Sequence, residues 1–200
     1  CHEWPPVGGG GGRGAAAIAG ELANSRGVDI LTSAAPGLPR RETAGRLRIF
    51  RGGLPLTINL ETQNHLLSYI AFGAYTAGAF ARGWLLCLER RYAAIHSHFA
   101  IPAGTVGALL SKLTGIPHLC TLVEADIYDA RTGCREPYAN PLIRGVIAWT
   151  LRNSGSLAAI SEAVRGTARE AYGAPEISVV HYGIPEPRFT PRSREELGGA

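Results

Sequence analysis

Five consecutive glycines near the start of the chain limit what this sequence can fold into. Residues 8–12 carry no Cβ, so their backbone can reach positive φ values and expose its N–H groups. An alanine-rich segment, residues 13–25, follows at once and predicts an amphipathic helix. A glycine turn that leads into a helix N-terminus is a ready site for a phosphate or another anion. The alternative interpretation is a flexible, low-complexity linker.

The composition is that of a globular domain and argues against nucleic acid as a partner. Hydrophobic residues make up 46% of the 200 residues and charged residues 18%, which suits one domain with a real core. The net charge of +4 would favour phosphorylated or anionic-lipid ligands, but it is too small and scattered to indicate nucleic acid. Five arginines cluster, and we interpret them as a solvated loop and edge, with a peripheral membrane contact as the alternative: Arg40, Arg41, Arg46, Arg48 and Arg51.

The cysteines and apolar segments indicate a reducing compartment. Cys87 and Cys120 fall in an apolar helix and an apolar strand, and we expect both to be buried free thiols. The spacing of the four cysteines fits no zinc site, so no metal is expected. The longest charge-free apolar run, residues 66–81, is shorter than the roughly 20 residues of a spanning helix. We therefore expect a cytoplasmic protein, with the cytoplasmic face of the membrane as the alternative location.

Strand-like and helix-like segments alternate along the chain. The predicted strands are residues 28–33, 46–51 (a half-exposed edge strand), 93–98, 118–123, 156–160 and 177–182. The predicted helices are residues 13–25, 63–92 with a break near Gly73 or Gly83, 103–114, 141–153, and a last one that Ser161 caps and that ends at Tyr172.

This order predicts an α/β fold, a Rossmann-like parallel sheet with helices on both faces. Ligands of such sheets bind at the carboxyl ends of the strands, where the glycine turn and His98 would meet. Only a few residues precede the glycine turn, so we expect the first strand to be truncated. The strand at residues 28–33 should then lack a full neighbour on one side.

The glycine run also matches the G-x-G-x-x-G pattern of dinucleotide-binding folds over residues 9–14. A run of glycines meets that pattern almost automatically, and no acidic residue ends the second strand to hold a ribose hydroxyl. The only lysine, Lys112, follows Ser111 and has Ala108 four residues before it, which disfavours a P-loop and a short-chain reductase. These residues disfavour a nicotinamide-dependent oxidoreductase. A non-catalytic sugar- or nucleotide-binding module is the stronger of the two alternatives to the function considered next.

Five short motifs, in order along the chain, carry a resemblance to a known family. They are Trp4-Pro5-Pro6-Val7-Gly8-Gly9, residues 22–31, Ile95-His96-Ser97-His98 with Pro102-Ala103-Gly104, Ala125-Asp126-Ile127-Tyr128-Asp129, and residues 179–185 with Phe189 and Pro191. Together they resemble the N-terminal domain of the GT-B glycosyltransferases of family 4. The resemblance implies a Rossmann-like, acceptor-side domain in residues 1–185. Residues 186–200 would start the connection to a C-terminal domain that binds the nucleotide-sugar and is missing here.

That resemblance implies retaining transfer of a sugar from a nucleotide-sugar donor to a glycan, lipid or small-molecule acceptor, without a cofactor. The implied catalytic residue is His98, which could bond to the transferred sugar; a core histidine bonded to the backbone is the alternative. Glu124 and Asp126 are expected on the acceptor side. The family often has His-Gly where this chain has Val123-Glu124, shortly before this aspartate. The departure leaves two alternatives, a different acceptor and a loss of activity. The loop expected to approach the donor diphosphate and the acceptor comprises Gly8, Gly9, Gly10, Gly11, Gly12 and Arg13. We expect the fragment alone to be inactive.

Overall fold

The computed structural model describes residues 1–53, 65–123, 127 and 140–183. The helices are α1 (Gly10–Ser25), α2 (His65–Glu89), α3 (Thr105–Thr114), α4 (Pro141–Asn153) and α5 (Glu162–Tyr172), with a π-helical turn at Ala100–Gly104. The strands are β1 (Val28–Ser33), β2 (Arg41–Ala44), β3 (Leu47–Gly52), β4 (Ile95–His98), β5 (His118–Leu122), β6 (Ser156–Ala159) and β7 (Ser178–Val179). The predicted alternation of strands and helices is confirmed.

The first sheet holds three strands in the order β1-β3-β2. β1 and β3 are parallel, and β2 runs antiparallel to β3. The prediction that residues 46–51 form an edge strand is therefore wrong. The polar segment before β3 folds back as β2 and takes the edge, so β3 lies in the middle. The polar residues of β3 that indicated an exposed edge instead find partners, as Arg48 does by forming an ion pair with Asp29 of β1.

Helices α1 and α2 cover opposite faces of the first sheet. Ile49 of β3 packs in a buried cluster with Ala19 of α1. On the other face, a Cβ built on Gly52 would lie 3.7 Å from the backbone of Gly78 in α2. Successive residues of a strand point to opposite faces, so residues 49 and 52 separate the two helices. The expected arrangement of a parallel pair of strands with helices on both faces is confirmed here.

Helix α2 runs without interruption from His65 to Glu89, so the expected break near Gly73 or Gly83 is wrong. Gly83 is instead a packing site, because a Cβ there would lie 2.6 Å from a methyl carbon of Leu110. Cys87 of this helix is only half-buried, contrary to expectation, whereas Cys120 of β5 is a buried free thiol as predicted. Over the described part of the chain, no helix is both long and apolar enough to cross a membrane.

The second sheet holds four parallel strands in the order β4-β5-β6-β7. Helices α3, α4 and α5 connect successive strands, which is the repeated strand-helix-strand unit that the sequence predicts. The core of this half joins the strands to α4 and α5; its most buried members include Leu122, Ile147 and Leu151. Ser161 caps α5 as predicted, since its Oγ accepts a hydrogen bond from the Val164 N–H at 3.2 Å.

A cavity of about 570 Å³ lies between the facing edges of β1 and β4, and we call it the strand slot. Its walls include apolar residues of three helices, among them Ile18, Leu86 and Leu110. Within the described residues, no strand pairs with either facing edge. Of the residues before the glycine turn, Cys1 and Trp4 line the slot, and the Ser33 N–H donates to the His2 carbonyl at 3.2 Å. The predicted gap beside β1 is therefore confirmed.

Candidate functional site

The glycine run is half turn and half helix. Gly8 has φ +104°, a value that glycine tolerates without strain, and Gly9 has extended backbone just before α1. The helix begins at Gly10, three residues earlier than predicted, so the expected loop of residues 8–12 is corrected to a two-residue turn. The first N–H groups of a helix have no partner within it, so those of residues 10–12 are the donors that this turn presents.

A carboxylate of the chain already uses one donor of this turn. The Gly9 N–H donates to Glu3 Oε2 at 3.0 Å. Glu3 lies close along the turn, since a Cβ on Gly8 would come within 2.6 Å of the Glu3 Cβ. A negative group at a helix N-terminus is favoured by the unpaired N–H groups and by the helix dipole. The turn therefore binds a carboxylate of the chain itself, and the expected binding of a ligand anion stays a prediction.

The glycines differ in what surrounds them. Gly10 has open space where a Cβ would be, and Gly9 has nothing closer than 3.8 Å. A Cβ on Gly11 would lie 2.4 Å from Cζ of Phe99, and one on Gly14 would lie 2.4 Å from Cε2 of Tyr182. Gly9 and Gly10 therefore leave room for a ligand, whereas Gly11 and Gly14 let aromatic rings pack against α1.

His98 ends β4 on the sheet edge that the glycine turn also faces. The residue is buried, and its Nδ1 lies 2.9 Å from the Tyr182 hydroxyl. The ring of His96 is 4.3 Å away between centroids. Burial, and then the neighbouring His96, lower the pKa of His98 to about 3. His98 is therefore neutral at pH 7 and can act as a hydrogen-bond donor or acceptor without carrying charge.

Phe99, directly after His98, has a strained backbone. Its φ of +74° is the one positive value of a non-glycine residue within the described ranges. Such a conformation costs about 1–3 kcal/mol and is found where surrounding structure fixes it, often at functional sites. Here the Phe99 N–H donates to the Thr121 carbonyl at 2.9 Å, and the Phe99 carbonyl accepts from the Gly104 N–H at 3.0 Å. The bend turns the Phe99 ring onto Gly11.

Tyr182 joins the two parts of the site, and sequence reasoning did not select it. Its ring packs on Gly14 of α1 while its hydroxyl meets His98. The segment that carries it is anchored to β6, since the Val180 N–H donates to the Ala159 carbonyl and His181 Nδ1 bonds to the Ile160 carbonyl. The available signal was its place within the motif of residues 179–185. That motif was used only to recognise the family, and residues 177–182 were predicted only as a strand.

The structure brings some of the predicted site residues together and leaves others apart. Gly11 packs against the ring of Phe99, the residue after His98, and the nearby Gly14 packs against Tyr182, whose hydroxyl bonds to His98. Arg13 is exposed on α1. Glu124 and Asp126 lie outside the described residues. Within those residues, no group of three histidine, cysteine or acidic side chains is placed to hold a metal ion.

Ser97 and His118 form a buried pair with a structural role. Ser97 Oγ lies 2.8 Å from His118 Nε2 and donates to the Ala103 carbonyl at 3.1 Å. A Cβ on Gly107 would lie 2.3 Å from Ser97 Oγ, so α3 closes over the pair. This pair fastens the start of α3 to the second sheet, and both of its side chains are buried.

Comparison with known proteins identifies the family. A family model described as a glycosyl transferase 4-like domain matches residues 9–183. No protein of curated description matches the sequence significantly. Among solved structures, sucrose-phosphate synthase from Thermosynechococcus elongatus superposes with a TM-score of 0.71 at 18% identity, over 94% of this chain and 47% of that one. A second structure of sucrose-phosphate synthase from this organism gives 0.53 at 17% identity, over 86% and 82% of the two chains.

At such low identity these structures show the shared fold alone, and the chain spans about half the length of the first of them. The fold is the Rossmann-like half of a GT-B glycosyltransferase, as the resemblance implied. Because the family model covers most of the sequence, this chain belongs to the family of glycosyl transferase 4-like domains.

Proposed function

We propose that this chain forms the acceptor-side wall of a glycosyltransferase cleft. The complete site transfers a sugar, with retention of configuration, from a nucleotide-sugar to a glycan, lipid or small-molecule acceptor. The observation that carries the proposal is the convergence of the glycine turn, the start of α1 and His98, tied together by Phe99 and Tyr182. Family membership supports glycosyl transfer as the reaction class. The donor, the acceptor and the stereochemistry are the proposed part.

The start of α1 is the proposed contact for the diphosphate of the donor. The first N–H groups of the helix point out of its end, and the helix dipole favours negative charge there. Gly9 and Gly10 leave space for close approach of a ligand to the backbone. As the bond to the sugar breaks, negative charge grows on the leaving phosphate, and fixed N–H donors stabilise it without reorganising.

His98 is proposed to hold a hydroxyl of the transferred sugar or of the acceptor. Its lowered pKa keeps the ring neutral, so it does not act as a cation towards the diphosphate. When the Tyr182 hydroxyl donates to Nδ1, the proton of the ring sits on Nε2 and can be donated to a substrate oxygen. Tyr182 would thereby select the tautomer and fix the ring plane, which is the role of a positioning residue.

The second wall of the cleft would come from a further domain. The chain spans 47% of the length of the sucrose-phosphate synthase chain that it matches, which supports this arrangement. Glu124 and Asp126 stay proposed acceptor-side residues. We propose that the 200-residue chain alone binds a nucleotide-sugar weakly and does not turn it over, because a one-walled site leaves the leaving group mainly in water.

The test is to mix the chain with a panel of uridine, guanosine and adenosine diphosphate sugars, each with and without a panel of glycan, lipid and small-molecule acceptors. Saturation-transfer NMR measures binding, and release of nucleoside diphosphate measures turnover. We expect weak binding that Gly10→Val abolishes, with the fold intact by circular dichroism, and no turnover. Binding of no member of the panel, binding unaffected by Gly10→Val, or robust transfer by the chain alone would contradict the proposal.

The Glu3 contact favours a second candidate function, a non-catalytic sugar-binding module. Because Glu3 Oε2 already accepts from the Gly9 N–H, the turn is partly satisfied without a ligand. In that case sugars would bind near His98, and the diphosphate would contribute nothing. Comparing the binding of a nucleotide-sugar with that of the free sugar separates the two candidates, since equal affinities support the module.

A further inference from the structure

A second pocket, of about 310 Å³, lies on the α2 face of the first sheet, and we call it the Phe50 pocket. Its floor is formed by Phe50 and Gly52 of β3, and α2 closes one side with Gly78 and Arg82. Arg40 and Arg41, at the start of β2, close the other side. None of these residues was assigned to the cleft above, and the volume suits a small ligand.

Close packing of backbone on backbone sets the shape of this pocket. A Cβ on Gly78 would lie 3.0 Å from the amide nitrogen of Gly53, so only glycine lets α2 approach β3 this closely. Arg82 follows Gly78 by four residues and so lies on the same face of α2, one turn along. The close approach therefore brings the Arg82 guanidinium to 4.5 Å from the centre of the Phe50 ring.

Three guanidinium groups surround that one ring. The Cζ of Arg41 lies 5.1 Å, and the Cζ of Arg48 5.5 Å, from the centre of the Phe50 ring, in addition to Arg82. Stacking on an aromatic face holds an arginine in place through a cation–π attraction of about 0.5–2 kcal/mol. The ring thus orders flexible side chains before any ligand arrives, which reduces the entropy lost on binding.

The positive charge of this cluster is only partly balanced. Arg48 is paired with Asp29, and the Arg48 guanidinium holds the pKa of that carboxyl below its usual range against the opposing effect of burial. Arg40 donates to the Gly53 carbonyl at 2.8 Å. Among the described residues, Arg41 and Arg82 have no carboxylate partner, and no acidic residue lines the pocket. The nearby carboxylate Glu42 pairs instead with Arg51.

We propose that the Phe50 pocket binds the phosphate monoester of a small phosphorylated molecule through Arg41 and Arg82. A phosphate monoester carries nearly two negative charges at pH 7 and offers three oxygens, which match forked guanidinium donors. Arg40 lies within the same pocket and adds a third positive charge. Gly52, which lines the pocket, is the last residue of β3, so the pocket lies beside the carboxyl end of that strand. If the proposed function holds, the phosphorylated ligand is the acceptor, and in this one point the inference rests on the proposed function.

The test measures binding of glucose 6-phosphate, glucose and inorganic phosphate to the chain by isothermal titration calorimetry at low salt. Glucose 6-phosphate is expected to bind, inorganic phosphate to compete with it, and glucose not to bind. Arg82→Gln and Arg41→Gln should each weaken glucose 6-phosphate binding at least tenfold. Arg152→Gln is the matched control, because it removes the same charge from an exposed position on α4 and should leave binding unchanged. Arg82→Lys keeps the charge but not the fork, and should fall between.

Several results would overturn the proposal. Equal weakening by Arg82→Gln and Arg152→Gln would show that net charge alone attracts the ligand. Binding to vesicles that contain phosphatidic acid, without binding of glucose 6-phosphate, would assign the arginines to a membrane surface. Thermal unfolding of each variant checks that a lost affinity is not a lost fold. Nucleotide-sugar binding at the glycine turn is measured in the same variants; if it persists while glucose 6-phosphate fails to bind, this pocket alone is refuted. If glucose 6-phosphate binds and no nucleotide-sugar does, the proposed function fails and the pocket stands.

Discussion

The contact between Gly11 and Phe99 supplies the sharpest test of how the site is built. Alanine at position 11 would place its Cβ 2.4 Å from Cζ of Phe99, well inside van der Waals contact. The ring cannot easily move away, because Phe99 is buried and its backbone is held at φ +74°. Alanine at position 10 would meet nothing within 4 Å. The two substitutions add the same methyl group to adjacent residues of one helix, and only one of them creates a clash.

The magnitude follows from comparing the two variants. Replacing glycine by alanine in a helix stabilises it by up to about 1 kcal/mol, and less in the first turn. That gain is shared by both variants, so the difference between their free energies of unfolding isolates the clash. Overpacking of this kind costs about 1–3 kcal/mol. We therefore expect Gly11→Ala to be less stable than Gly10→Ala by about 1–3 kcal/mol, with each kcal/mol lowering the Tm by roughly 2–4 °C.

The assay is urea unfolding followed by far-ultraviolet circular dichroism, with each variant also made in a Phe99→Leu background. Leucine keeps the strained backbone but removes the ring atoms that clash, so the penalty of Gly11→Ala should shrink there. A coupling energy of 0.5 kcal/mol or more between positions 11 and 99 is expected for groups in contact. Equal stability of Gly10→Ala and Gly11→Ala, or a penalty that Phe99→Leu leaves unchanged, would refute the packing described here.

Three further predictions concern single side chains. The free energy of unfolding should fall as the pH drops below 6.5, because unfolded His98 binds a proton there while folded His98, with its pKa lowered to about 3, does not. His98→Gln should reduce the dependence of this free energy on pH by up to about 1.4 kcal/mol per pH unit between pH 6 and 4. Equal pH dependence of the two proteins in urea titrations would contradict this prediction. Ser161→Ala should cost about 1 kcal/mol in thermal unfolding through loss of the α5 cap, and an unchanged Tm would show that the cap is not needed. Glu3→Gln removes a negative charge beside the Gly9 N–H, so calorimetry should show inorganic pyrophosphate binding several-fold tighter; unchanged affinity would place the anion elsewhere.

The sequence predicted those parts of the fold in which local chemistry and packing agree. The bounds of β1 and α4 match the prediction. Gly27 immediately precedes β1, Pro141 is the first residue of α4, and the spacing of the apolar residues in both segments agrees with the element that each forms. The prediction of residues 46–51 as an edge strand was wrong, since the partner of Arg48 lies on another strand and cannot be recognised from local alternation. The run of glycines was predicted as a loop because glycine is a poor helix former, yet residues 10–12 form the first turn of α1, where Gly11 packs against the Phe99 ring.

The site was predicted only in part, for a similar reason. His98 and the glycine turn could be placed at one edge because parallel strands end together. Their link through Tyr182 joins residues far apart in sequence, and the bend at Phe99 requires a positive φ that a phenylalanine does not signal. The roles of Glu124 and Asp126, which lie outside the described residues, stay predictions.

The strand slot also determines how the domain should come apart. Backbone hydrogen bonds between strands usually make a sheet unfold as one unit, but none crosses from β1 to β4 within the described residues. The two groups of strands are therefore joined through helix packing around an apolar cavity, which contributes less cooperativity than a continuous ladder. Amide hydrogens of β1 and β3 should exchange by a lower-energy opening than those of β5 and β6. The first sheet and α1 would then behave as a separate cooperative unit, able to open while the second sheet stays folded.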